Sequence, residues 1–136
     1  KSMDEVAAES DFVSLHLHLS PATEGMIGRD FFQKMKPTAF FINTARGGLV
    51  REQELVEALE EGLIAGAGLD VLCSESISPE DPLLKMDHVI VTPHAAWYSE
   101  EAYLTLLTST AEEVVRGLRG DPLKHPFNGL PYARAL

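Results

Sequence analysis

Hydrophobic and polar positions follow two rhythms along this chain. Short apolar runs ending on polar turns occur at Phe12 to Leu17, Ala39 to Asn43, Gly66 to Val71 and Val89 to Thr92, and each reads as a strand. Between them, apolar residues recur at helical spacing. Ser2 is placed to cap a short helix through Ser10, and a helix with Phe31, Phe32 and Met35 inward is stopped by Pro37. From about Glu52 to Glu61, Leu55, Val56 and Leu59 share one face, with Gly62 just past the end. The last element is the longest. Ser99 is its N-cap, Glu100 and Glu101 suit the positive end of the helix dipole, and Leu106, Leu107, Thr110, Ala111, Val114 and Leu118 repeat along it. Arg116 and Arg119 suit the negative end, Gly120 the stop, and Pro122 forbids continuation. The stretch from Pro122 to Leu136 has no periodicity, and its Phe127, Leu130 and Tyr132 call for an apolar surface to lie on.

Strand–helix alternation with connections of this length implies an α/β fold, a parallel sheet with right-handed crossovers and helices on both faces. This is half of a doubly wound nucleotide-binding fold.

Composition narrows the setting. At 136 residues the chain fits one domain with a real core. A formal charge of −10 argues against nucleic acid and anionic membrane surfaces, both of which reward basic patches. No apolar run approaches the length of a membrane span, and no signal-like segment opens the chain. The single cysteine, Cys73, cannot form an internal disulfide, which suits a reducing, cytoplasmic location. Residue 1 is Lys rather than Met, as in a fragment of a longer protein.

The chemistry gathers at the strand ends. A parallel sheet brings its carboxyl ends to one edge, where open α/β sheets bind ligands. That edge would carry His16 to Thr23, Thr44 to Gly48, Asp70 to Glu75 and Pro93 to Trp97. Arg46 offers a planar fork suited to a carboxylate, and Gly47 and Gly48 would let a ligand approach the backbone. His94 has an imidazole suited to proton transfer near neutral pH, and Glu75 would orient it. Arginine, carboxylate and histidine together suit redox chemistry on a 2-keto or 2-hydroxy acid, which needs a hydride carrier. Each residue also has an ordinary reading. Arg46 could be solvated, Glu75 surface charge, His94 a strand-end residue, Asp70 a turn cap and Trp97 core or interface filler. His16 and His18 alternate along a strand, so one would be buried and the other outward, while His88 and His125 read as surface. No histidine and cysteine spacing suggests a metal site. The joint placement at strand ends favours the chemical reading.

Asn43-Thr44-Ala45-Arg46-Gly47-Gly48, then Gly66-Ala67-Gly68-Leu69-Asp70-Val71, then Thr92-Pro93-His94-Ala95-Ala96-Trp97-Tyr98-Ser99-Glu100 resembles the D-isomer-specific 2-hydroxyacid dehydrogenase family. The run from His94 to Glu100 most resembles its C-terminal-binding-protein-like subgroup. The resemblance covers about residues 1 to 120 and implies a Rossmann-like cofactor domain, a catalytic set of Arg46, Glu75 and His94, and a homodimeric full-length protein. Contacts to NAD, with NADP left open, would fall on Leu17, Thr23, Thr44, Ala45, Arg46, Asp70, His94 and Trp97. The chain departs from the family pattern in three places: His18 stands where Pro is usual, Ser76 replaces the Pro after the glutamate, and Arg51 replaces an acidic helix cap.

No Gly-x-Gly-x-x-Gly occurs, so the turn that cradles a pyrophosphate is missing, as is the acidic ribose partner expected about 20 residues after it. The expectation is therefore the C-terminal part of an NAD(P)-binding domain at residues 1–119, with 120–136 a tail returning to a separate substrate domain. The implied function is hydride transfer between a nicotinamide cofactor and a small 2-hydroxy or 2-keto acid, the isolated segment being inactive. The subgroup resemblance also permits a dinucleotide-sensing, corepressor-like binding protein on the same scaffold.

Overall fold

The computed structural model describes residues 1–74 and 76–126, so Glu75 and the tail residues Phe127, Leu130 and Tyr132 lie outside the described residues. The chain divides into two compact units, Lys1–Ala96 and Trp97–Leu136.

The first unit runs α1 (Met3–Glu9), β1 (Phe12–Leu15), α2 (Arg29–Phe32), β2 (Phe40–Asn43), a 3-10 turn (Gly47–Leu49), α3 (Glu52–Glu60), β3 (Gly66–Leu69), a second 3-10 turn (Pro82–Lys85) and β4 (Val89–Val91). The four strands form one parallel sheet in the order β1-β2-β3-β4. All four carboxyl ends therefore share an edge, as the alternation of elements implies.

Local chemistry explains the helix starts. Ser2 Oγ accepts the Glu5 N–H, and the Glu5 carboxylate accepts the Ser2 N–H at 2.6 Å, a reciprocal capping box. Arg51, in contrast, gives α3 no side-chain cap; its Nε donates instead to the Gly25 carbonyl at 2.9 Å. Several elements are shorter than their sequence patterns. The β1 strand ends at Leu15 rather than Leu17, because its neighbour β2 turns away after Asn43, the partner of Leu15. Only Arg29–Phe32 is helical in α2. Beyond it the chain tightens into turns, with Lys34 N–H donating to Phe31 O and Met35 N–H to Phe32 O, each at 3.1 Å. Met35 still reaches the core.

Val13, Leu15, Phe41, Ala67 and Leu69 of the strands join Ala7 of α1, Phe31 and Phe32 of α2 and Leu55, Val56, Ala58 and Leu59 of α3 in one cluster. The rings of Phe32 and Phe41 meet edge-on at 5.3 Å at its centre. Helices on both faces were expected, but these three helices all feed the one core. On the other face Phe12 is 68% and Phe40 40% exposed, their rings stacked 5.7 Å apart, and Ile90 is also exposed.

In the second unit, α4 (Glu100–Arg119) starts where Ser99 Oγ accepts the Ala102 N–H at 3.1 Å. It stops at Gly120, whose φ of 72° is the left-handed conformation that glycine adopts without a Cβ clash. Leu104, Leu107, Val114 and Leu118 are exposed along it.

Candidate active site

The turn after β2 is built by one buried amide. Asn43, 1% exposed, donates from Nδ2 to the Arg46 carbonyl at 2.9 Å and accepts the Ala45 N–H on Oδ1 at 3.1 Å. Both ends of the side chain close the loop that presents Arg46. The guanidinium itself is exposed and donates from Nη1 to the Ala45 carbonyl at 2.7 Å, leaving most of its fork directed elsewhere. Gly47, which lines the cavity described below, and Gly48 are also packed tightly against the protein. A Cβ on Gly47 would sit 2.0 Å from the Leu72 carbonyl oxygen, and one on Gly48 would sit 3.0 Å from the Leu19 side chain. The glycines let this turn press against the chain leaving β3 and the loop leaving β1.

Asp70, at the end of β3, is 4% exposed and bonded to the loop after β4. Its carboxylate accepts the Thr92 hydroxyl, the Ala95 N–H at 2.8 Å and the Ala96 N–H at 2.9 Å. Burial pushes the Asp70 carboxyl up, but the Thr92, Ala96 and Ala95 hydrogen bonds and the charge of His94 together hold it below its ordinary value. Between Thr92 and Ala95 stands His94, with a φ of 53° that non-glycine residues seldom adopt. Its N–H donates to Asp70 O at 2.9 Å and to Thr92 O at 3.0 Å, so the unusual conformation is held by the surrounding loop.

Arg46, Asp70 and His94 line one cavity of about 530 Å³, with Thr92 and the apolar Val71, Leu72, Ile77, Val91 and Pro93 completing most of its wall. The other expected contacts are placed elsewhere. Thr23 turns its hydroxyl into its own loop, donating to His18 O at 2.8 Å and accepting the Ser20 N–H at 2.9 Å. Leu17, Thr44 and Ala45 lie beside this edge without lining the cavity, and Trp97 belongs to the second unit, where it is 50% exposed. The catalytic carboxylate expected at Glu75 lies outside the described residues. His16 and His18 are both exposed, against the expectation that one would be buried, because the strand stops before either; His16 Nε2 bonds the Ser14 hydroxyl at 2.9 Å.

Two residues that order the site, Asn43 and Thr92, carried no role in the sequence reading. A polar residue closing an apolar strand is the signal for Asn43; its partners are visible only in three dimensions. The cavity is within the size range of small-molecule sites and joins an apolar wall to a few converging polar groups, which suits a flat ring beside a small acid. It fits the reacting end of a dinucleotide. No phosphate-cradling turn stands among its lining residues.

A parallel sheet presenting arginine and histidine over such a cavity defines half of a doubly wound dinucleotide-binding domain. Residues 1–96 match the model of the D-isomer specific 2-hydroxyacid dehydrogenase NAD-binding domain, and the chain belongs to that family. It is 45% identical over 119 residues to a glyoxylate reductase of Korarchaeum cryptofilum, covering 88% of this chain and 36% of that protein. Identity to the Homo sapiens glyoxylate reductase/hydroxypyruvate reductase is 43% over 122 residues, covering 90% of this chain and 37% of that protein. The fold superposes with a TM-score of 0.83 on the NAD-complexed D-isomer specific 2-hydroxyacid dehydrogenase of Lactobacillus delbrueckii ssp. bulgaricus, at 38% identity, covering 91% of this chain and 42% of that one. The chain thus spans little more than a third of the length of these two curated relatives. Among the described residues no helix is long and apolar enough to cross a membrane.

Proposed function

We propose that this chain is the cofactor-side half of the active site of an enzyme that transfers a hydride between a nicotinamide cofactor and a small 2-keto or 2-hydroxy acid. The observation that carries the reading is the convergence of Arg46 and His94 on one cavity at the carboxyl edge of the sheet. When bound, the nicotinamide supplies or accepts the hydride. Arg46 holds the substrate carboxylate with its fork and draws electron density from the carbonyl oxygen. During reduction His94 gives that oxygen a proton, and it takes the proton back during oxidation. Glu75 orients the imidazole and favours its charged form.

Leu17, Thr23, Thr44, Ala45, the backbone at Arg46, Asp70, His94 and Trp97 would hold the cofactor. For Asp70 the contact is limited to a lone pair that Thr92, Ala95 and Ala96 leave unused. NAD is the reading for the cofactor, and the groups that choose it over NADP lie with the ribose contact. Residues 1–119 act as the C-terminal part of the cofactor domain, with 120–136 returning to a substrate domain, in a cytoplasmic homodimer; the single cysteine supports the reducing setting.

The test is turnover of a panel of small 2-keto acids by the full-length protein with NADH and with NADPH. Reduction of at least one acid that depends on both Arg46 and His94 is expected. Dinucleotide binding without reduction of any acid would overturn the reading in favour of a binding protein.

A further inference from the structure

Glu52 is the first residue of α3, and its half-buried carboxylate accepts the Cys73 N–H at 2.8 Å. An acidic residue in a first turn ordinarily complements the helix dipole. Here the carboxylate reaches across to the segment leaving β3. The Cys73 thiol reaches back, donating to the carbonyls of Gly47 and Val50, each at 3.6 Å. Partial burial, then the Glu52 charge, pushes that thiol up, so at neutral pH it keeps the proton it donates. Between these contacts the Gly47 backbone lies directly against Leu72. Both segments line the cavity, Arg46 and Gly47 from the turn after β2 and Leu72 and Ser74 from the chain leaving β3. Glu75 follows next in the chain.

We infer that Glu52 is a positioning residue for Arg46: by strapping Leu72–Cys73 to the start of α3 beside the Gly47 turn, it fixes where the guanidinium stands relative to the Leu72–Ser74 part of the cavity lining. The inference rests on Arg46 being the carboxylate-binding group. Glu52 does not touch the cavity and acts through the backbone at Cys73.

Three variants of the full-length protein separate this role from a dipole role. Glu52→Gln keeps the length and the acceptor oxygen but removes the charge. Glu52→Asp keeps the charge but is one methylene too short to reach, and Glu52→Ala loses both. Two readouts are taken, amide exchange at Cys73 and the KM for a 2-keto acid, alongside the Kd for NADH. In Glu52→Asp and Glu52→Ala, Cys73 should lose protection and KM should rise about fivefold to tenfold, the worth of one hydrogen bond whether or not its acceptor is charged, with NADH affinity unchanged. Glu52→Gln should restore both readouts to near wild type. A normal Glu52→Asp beside an impaired Glu52→Gln would make the residue a dipole partner and overturn the inference. Lost protection at Cys73 with an unmoved KM would also overturn it, since the strap would then position nothing. A wild-type protein that reduces no 2-keto acid would instead overturn the reading of the site itself, and the inference with it.

Discussion

Asp70 holds His94 on two sides, its backbone carbonyl accepting the His94 N–H at 2.9 Å while its carboxylate accepts the amides of Ala95 and Ala96. A residue at the end of one strand thus sets the conformation of a residue at the end of the next. The left-handed backbone at His94 costs about 1–3 kcal/mol for a non-glycine residue, and these hydrogen bonds are what hold it there. The His94 backbone is consequently held by the residue at the end of β3 as much as by its own loop.

Replacing Asp70 tests that arrangement. The folded carboxyl titrates below its ordinary 3.8. Its stabilisation is therefore complete above the unfolded value and is lost as pH falls through the folded one. Denaturant melts of the wild type should show this part of the stability steady at neutral pH and draining below about 3.8. Asp70→Asn leaves one side-chain oxygen to accept and should cost about 1–3 kcal/mol at neutral pH. It should also remove that share of the acid dependence. An unaltered acid limb in Asp70→Asn would show that other carboxylates set it.

Arg46→Lys keeps the charge but loses the two-point match to a carboxylate. In the full-length protein kcat/KM for a 2-keto acid should fall by about two orders of magnitude or more, with NADH affinity little changed. Steady-state kinetics with a separate titration of NADH binding decides it. Near-normal turnover would remove Arg46 from substrate binding.

Gly47→Ala should be far more damaging than Gly62→Ala, for different physical reasons. At Gly47 the added methyl would collide with the Leu72 backbone, which cannot rotate aside. At Gly62 there is open space, and the cost is the left-handed φ of 69°, about 1 kcal/mol. Equilibrium unfolding should rank them, with Gly47→Ala also impairing the Arg46 turn. Equal destabilisation would show that the turn can move off Leu72.

The 136-residue chain by itself should self-associate and bind dinucleotide poorly. Phe12 of the edge strand β1 and Phe40 of β2 form an exposed stacked pair, and an edge strand is a template for pairing with another chain. No glycine turn is present to cradle a pyrophosphate. Sedimentation velocity should show concentration-dependent oligomers that Phe12→Lys reduces, and calorimetry should show weak or no NADH binding. A well-behaved monomer binding NADH tightly and stoichiometrically would refute both expectations.

Most of the scaffold was legible from order along the chain. Apolar runs at Phe12, Phe40, Gly66 and Val89, separated by helical spacing, demand parallel strands, and parallel strands place Arg46, Asp70 and His94 at one edge. The capping signals at Ser2, Ser99 and Gly120 were equally local, since a cap is satisfied within a few residues of itself. The tertiary structure decided where the polar side chains spend their hydrogen bonds. Asn43 closes the Arg46 turn, Thr23 folds into its own loop, and Asp70 is taken up by the His94 loop. It also decided that Gly47 is small because Leu72 presses on it, and that one face of the sheet leaves Phe12 and Phe40 uncovered. Hydrophobic period reports which residues turn inward along a single element. Which backbone lies opposite a given atom depends on segments distant in sequence, and only the packed chain brings those together.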